Sequence, residues 1–147
     1  MTRQHQFVRH GGWPEELTET TCRQLLASGS VGRLIWRGAE GLSAQPVNYV
    51  MDQGDITVRL SPYSLAGREC GSAPVAFEVD HVDPELRLGW SVLARGRGRR
   101  EHLSVPSRQV DVWPAGVRLM LLRIEIDRLT GRNLNAPATA GTRTQWP

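Results

Sequence analysis

The segment Arg59-Leu60-Ser61-Pro62-Tyr63-Ser64 combines residue types that could hold an anion. Ile56, Val58 and Leu60 are apolar and alternate with Thr57, Arg59 and Ser61, the period of a half-buried strand. Arg59 and Ser61 therefore share a polar face. A helix is expected to start at Ser64, bringing free backbone N–H groups and the positive end of a helix dipole. A guanidinium, hydroxyls and a helix start together would make a phosphate cradle. A plainer reading fits the same residues: a solvated strand face followed by a serine cap.

Arg95-Gly96-Arg97-Gly98-Arg99-Arg100 is the second such segment. Read as a strand, it sends Arg95, Arg97 and Arg99 to one face and leaves Ala94, Gly96 and Gly98 on the other. Small residues there let something approach the backbone closely. The arginine row is then a solvated face, an anion or cofactor contact, or a nucleic-acid patch. Stacking aromatics do not accompany it, so nucleic-acid binding is not expected. Five tryptophans are many for 147 residues. Trp36 and Trp90 fall inside expected strands. Trp113 falls in a Pro-containing loop, where a large aromatic either packs or marks a ligand surface.

The four histidines, His5, His10, His81 and His102, show no metal-ligand spacing, and Cys22 and Cys70 lie far apart. No metal is expected, and the cysteines read as free thiols, with a disulfide open but unsupported. No Gly-x-Ser-x-Gly elbow and no dinucleotide Gly-x-Gly-x-x-Gly occurs. All 18 basic residues are arginine. A chain without lysine has no Schiff-base lysine and no phosphate-loop lysine, which excludes pyridoxal-phosphate, kinase and standard nucleotide triphosphatase chemistry. The net charge of +3 is modest. No apolar run is long enough to span a membrane, and no secretory signal is read, so a cytoplasmic protein without a membrane role is expected.

These residues must be placed by a small framework. Pro14-Glu15-Glu16 followed by Leu17, Cys22, Leu25 and Leu26 predicts one amphipathic helix, closed by Ser28-Gly29. Strands are expected over Val31–Trp36, Gln45–Met51, Ile56–Ser61, Val75–Asp80, from Leu86 to about Arg100, and Leu119–Ile126, with a short helix over Ser64–Cys70. Short turn-rich connections make these antiparallel hairpins, and closure into a barrel would remove the exposed edges. The expected fold class is therefore mainly β: a six-stranded antiparallel barrel over residues 14–135. Residues 1–13 and 136–147 are expected to be flexible ends.

Five ordered pieces carry a family resemblance: Ser28-Gly29-Ser30-Val31-Gly32-Arg33-Leu34; Pro46-Val47-Asn48-Tyr49-Val50; Pro74 to Asp80 with Asp83-Pro84; Gly89-Trp90-Ser91-Val92 leading to Arg95-Gly96; and Arg123-Ile124 to Arg132. Over about residues 15 to 133 the chain resembles the pyridoxamine 5'-phosphate oxidase-like, FMN-binding split barrels, in an actinobacterial branch near the nitroimidazole-resistance proteins. The resemblance implies a homodimeric split barrel with FMN in grooves at the interface. It places Pro46, Val47, Asn48 and Tyr49 beside the flavin ring. Arg59, Ser61 and Ser64 fall at the phosphate, with Arg68 one helical turn on. Trp90, Ser91, Trp113 and Arg118 fall near the ring or reach it from the partner subunit. The implied activity is that of an oxidoreductase or flavin reductase on a small molecule, with no catalytic acid or base assigned. A deazaflavin is the alternative cofactor, and a binding protein that has lost FMN the alternative class. The family often reads Gly-Ser-Lys where this chain has Tyr63-Ser64-Leu65. Losing that cation removes a charge-assisted bond of about 1.5–3 kcal/mol.

Overall fold

A computed structural model describes residues 15–101 and 120–134. Trp113 and Arg118, and the expected flexible ends 1–13 and 136–147, lie outside the described residues. Among them the elements run β1 (Glu15–Glu16), α1 (Glu19–Ser28), β2 (Val31–Gly38), β3 (Gly41–Asp52), β4 (Asp55–Leu60), α2 (Leu65–Glu69), β5 (Pro74–Asp83), β6 (Leu88–Glu101) and β7 (Met120–Asn133).

The sheet order is β1-β7-β4-β3-β2-β5-β6, and an additional β7–β6 pairing joins its ends. All pairings are antiparallel. Six long strands thus close a barrel, which leaves no long open edge. The seventh, β1, is a two-residue addition on β7, one strand more than expected. Its presence corrects the predicted helix start. Glu15 and Glu16 pair with Asn133 and Arg132 instead of opening α1. The helix begins only after Thr18, whose hydroxyl accepts from the Thr21 N–H at 3.2 Å. A proline and early acids are compatible with a first turn but do not compete with an N-cap four residues on.

The β3–β4 turn is tight because Gln53 and Gly54 both adopt positive φ, 49° and 85°, as a two-residue hairpin connection requires. Side chains alternating inward from six strands fill the barrel with Leu34, Tyr49, Ile56, Val58, Leu60, Phe77, Val92, Leu122 and Ile124. Cys22 and Leu26 of α1 pack against this core. Tyr49 and Phe77 meet edge to face at 5.0 Å, and the Tyr49 hydroxyl donates to the Leu26 carbonyl, tying α1 to β3. Both cysteines are buried and free. Burial and the neighbouring Glu69 charge push the Cys70 thiol up to about 12. At neutral pH it is a packing residue rather than a nucleophile.

β6 and β7 are longer than the other strands and bend together at a register shift between Arg95 and Gly96. β7 continues well past Ile126, where the apolar pattern weakens. Gly131 and Asn133 still pair with Val92 and Trp90. The polar run Asp127-Arg128 marks the bulge, not a strand end.

Candidate functional site

Alternation divides the predicted residues between the two faces of the sheet. On β3, Val47 and Tyr49 are core, at 7% and 2% exposure. Burial raises the Tyr49 phenol to about 12. Those two side chains are spent on the barrel interior. Pro46 and Asn48 point outward, and Asn48 is nevertheless only 8% exposed. On β4, Thr57 and Arg59 share that outward face with Asn48 and Val50; Val50 pairs with Thr57, and Arg59 pairs with Leu121 of β7.

Thr57 is the unexpected member. The alternation predicts a solvated threonine, yet it is 2% exposed. Its Oγ1 has no hydrogen-bond partner among the described residues. A buried hydroxyl left unpaired is costly, on the order of 1–3 kcal/mol, and calls for an explanation. Sequence reading placed Thr57 on the right face but had no signal for its burial.

The strand end folds into a compact turn. The Ser64 hydroxyl donates to the Ser61 carbonyl at 2.7 Å and accepts from the Gly67 N–H at 3.0 Å, so it is the N-cap of α2. The Ser61 hydroxyl accepts from the Tyr63 N–H at 3.3 Å. A side chain at Gly67 would place its Cβ 2.2 Å from the Ser61 carbonyl oxygen, so the turn closes only with glycine. Leu65 packs against the hydrophobic core. That position serves the barrel, which accounts for a leucine where the family often has a lysine. Arg68 is exposed in the last turn of α2. A cation that sequence reading did not single out for this place, Arg100 of β6, donates to the Gly67 carbonyl at 2.7 Å. It holds the helix from below and complements its C-terminal end.

The arginine row alternates as expected: Arg95, Arg97 and Arg99 are exposed and Gly96 and Gly98 buried. The approach that the glycines allow is by protein backbone. A Cβ at Gly96 would lie 1.8 Å from the Glu125 carbonyl oxygen, and one at Gly98 2.0 Å from that of Cys70. Arg97 donates to the Ser72 carbonyl at 2.9 Å, and Arg99 pairs with Glu125 at 2.6 Å. Arg95 faces Arg128 directly across the β6–β7 pair.

Trp90 and Ser91 stand apart from this group. They pair with Asn133 and Arg132, at the opposite end of β7 from Leu121, the neighbour of Arg59. They also point to opposite faces. Trp90 lies on the side of buried Val92, and Ser91 on the outward side. Within one chain, Asn48, Thr57 and Arg59 share the outward face of β3 and β4, with Ser61 following at the end of β4, whereas Trp90 does not join them.

A closed antiparallel barrel with a short capped helix after its third long strand defines the class of small split-barrel proteins. The chain belongs to the pyridoxamine 5'-phosphate oxidase family, whose match covers residues 18–133. The uncharacterized protein Rv0080 of Mycobacterium tuberculosis is 35% identical over 125 residues, covering 79% of this chain and 82% of that protein. A putative pyridoxamine 5'-phosphate oxidase from Corynebacterium glutamicum superposes with a TM-score of 0.73 at 22% identity, covering 89% of this chain and all of that one (100%). The FAD binding protein from Mycobacterium smegmatis gives 0.70 at 24% identity, covering 81% and 97%. No helix among the described residues is long and apolar enough to cross a membrane.

Proposed function

We propose that this chain binds a flavin, FMN in the first place, on the outward face of β3 and β4, and acts as an oxidoreductase or flavin reductase on a small molecule. The carrying observation is the Thr57 hydroxyl, buried and unpaired among the described residues, on the same face as Asn48 and Arg59. A polar ring edge is the kind of group that would satisfy it. The residues present fit such a cofactor. Asn48 sets an amide on the same face as Thr57. Arg59 supplies the cation for a phosphate. The Ser61 hydroxyl still has its proton to donate, while Ser64 shapes the turn. Arg68 adds a second exposed charge. The flavin, when bound, would supply the electron transfer, and the chain's part is to hold and orient it. That likeness to a protein described as FAD binding supports the reading.

The assembly proposed is a homodimer in the cytoplasm with the cofactor at its interface, without nucleic-acid or membrane partners. Ser91, on the outward side, would then reach the flavin only from the partner subunit, whereas Trp90, turned to the opposite side, is not among the proposed flavin contacts. Trp113 and Arg118 keep their proposed place near the ring. A deazaflavin is the second reading. It is favoured by Arg95 and Arg128, two outward cations side by side that would suit an acidic tail.

The test is the visible spectrum of the purified protein, then fluorescence titration with FMN and with a deazaflavin. Saturable FMN binding is expected, weakened about tenfold or more in Arg59→Ala, the equivalent of one charge-assisted hydrogen bond. A colourless protein that binds neither cofactor would overturn the reading.

A further inference from the structure

One cavity lies away from the proposed flavin face. It is an open groove of about 350 Å³ at the end of the barrel, between α1 and the β5–β6 hairpin. Its floor is a single cross-strand row: His81 of β5 pairs with Trp90 of β6, which pairs with Asn133 of β7. Each stands two positions from a buried residue, Val79, Val92 and Gly131, so the row continues the barrel's interior side beyond the core. Leu17 and Leu25 wall it on the helix side, and Leu86 on the hairpin side.

Leu86 is 66% exposed and yet held in place. Asp83 accepts from the Glu85 and Leu86 N–H groups at 3.0 and 2.9 Å, and Arg87 takes a positive φ of 53° to complete the turn. No hydrogen bond or ion pair engages the His81 imidazole among the described residues. The charge around the groove is one-sided. Asp83 lines it, and Glu15 is the cross-strand neighbour of Asn133. Among the described residues no arginine lines it, although Arg87 stands in the adjoining turn.

We infer that this groove is a second small-molecule site, for a neutral or weakly basic planar aromatic of one or two rings. The Trp90 indole offers the stacking surface. The leucines add apolar walls, and His81 supplies a directional hydrogen bond at the edge. Such a pattern, mostly apolar with a few convergent polar groups, is what small-molecule pockets show, and the volume lies at the small end of their range. The Asp83 carboxylate at its rim disfavours an anion, so a phosphate-bearing cofactor does not belong here. The inference does not depend on flavin binding at β3 and β4.

Calorimetric titration of the full chain with quinoline, a neutral two-ring base, tests this against quinoline-2-carboxylate, its anionic counterpart. Saturable one-to-one binding of quinoline is expected, with the carboxylate about tenfold weaker or worse. Leu86→Arg, a change at an exposed position, should weaken quinoline by about tenfold, and Trp90→Leu at least as much. FMN titration of Leu86→Arg should match the parent chain. Failure of quinoline to saturate, equal affinity for both probes, or indifference to Leu86→Arg would overturn the site. So would a fall in the solution mass of Leu86→Arg, which would make the groove a subunit interface, or a loss of FMN binding, which would make it part of the flavin site. Absence of flavin binding in the parent chain, by contrast, sinks only the reading at β3 and β4.

Discussion

The Trp36 indole N–H donates to Glu69 Oε2 at 2.6 Å, joining the β2 strand to the end of α2. The other oxygen of the same carboxylate accepts from the Ala39 N–H at 3.0 Å. One side chain thus satisfies a nearly buried indole and pins the β2–β3 hairpin to the helix that follows β4.

These bonds, first from the Ala39 amide and then from Trp36, hold the Glu69 carboxyl below its ordinary value of 4.5, with Arg68 adding to the effect. A lowered folded-state value means stabilisation that is complete above the unfolded value and lost as pH falls through the folded one. Denaturant midpoints taken from neutral pH to below pH 4.5 should therefore fall more steeply for the parent chain than for Glu69→Gln. Parallel pH profiles would contradict this.

Gly96→Ala and Gly98→Ala should each be strongly destabilising. Both new methyl groups would run into backbone oxygens, of Glu125 and Cys70, which cannot rotate away. Overpacking of this kind costs about 1–3 kcal/mol or more. Chemical denaturation should show it, while Arg95→Ala on the same strand stays within about 0.5 kcal/mol of the parent, as exposed substitutions do.

Arg123 is surrounded by carboxylates: Glu101 at 2.8 Å, Asp55 at 3.3 Å and Asp52 at 3.8 Å. Arg123→Met leaves those acids facing each other across β3, β4, β6 and β7. At pH 7 the loss should be about 1–3 kcal/mol, the cost of unpaired charged groups that keep some access to water. Added salt, which screens charges of like and unlike sign, should narrow the deficit. A deficit that grows with salt would refute the account.

Thr57→Val separates stability from binding. Replacing an unpaired buried hydroxyl by a methyl group of like shape should leave the cofactor-free protein equal in stability or about 1 kcal/mol better. The same change should weaken FMN about tenfold if the hydroxyl meets the flavin. Paired thermal melts and fluorescence titrations would read both effects. A less stable apoprotein with unchanged FMN affinity would mean that the hydroxyl serves the fold.

The strands were legible because period-two alternation over β2, β4, β5 and β6 is a local consequence of burying one face. The Ser64 cap and the Arg95-Arg97-Arg99 face were legible for the same reason. Each depends on neighbours in the chain. Strand order, the closure of β6 on β7 and the continuation of β7 past its bulge depend on residues far apart in sequence. So does the meaning of the two glycines in the arginine row. Their spacing announced a close approach, but only the pairing showed that the visitor is the chain's own backbone.

The same division applies to the lysine-free composition. By itself the sequence excluded lysine Schiff-base and phosphate-loop chemistry, because those sites need a lysine side chain that no residue here supplies. It also set the residue types available to hold an anion. Whether position 65 faces a ligand was not a sequence property. The tertiary structure packed Leu65 against the core and buried Thr57 on the outward face. It put Trp90 on the opposite side and at the other end of the barrel from Arg59. Side-chain direction follows local periodicity, but what lies opposite a side chain is decided only when the barrel closes.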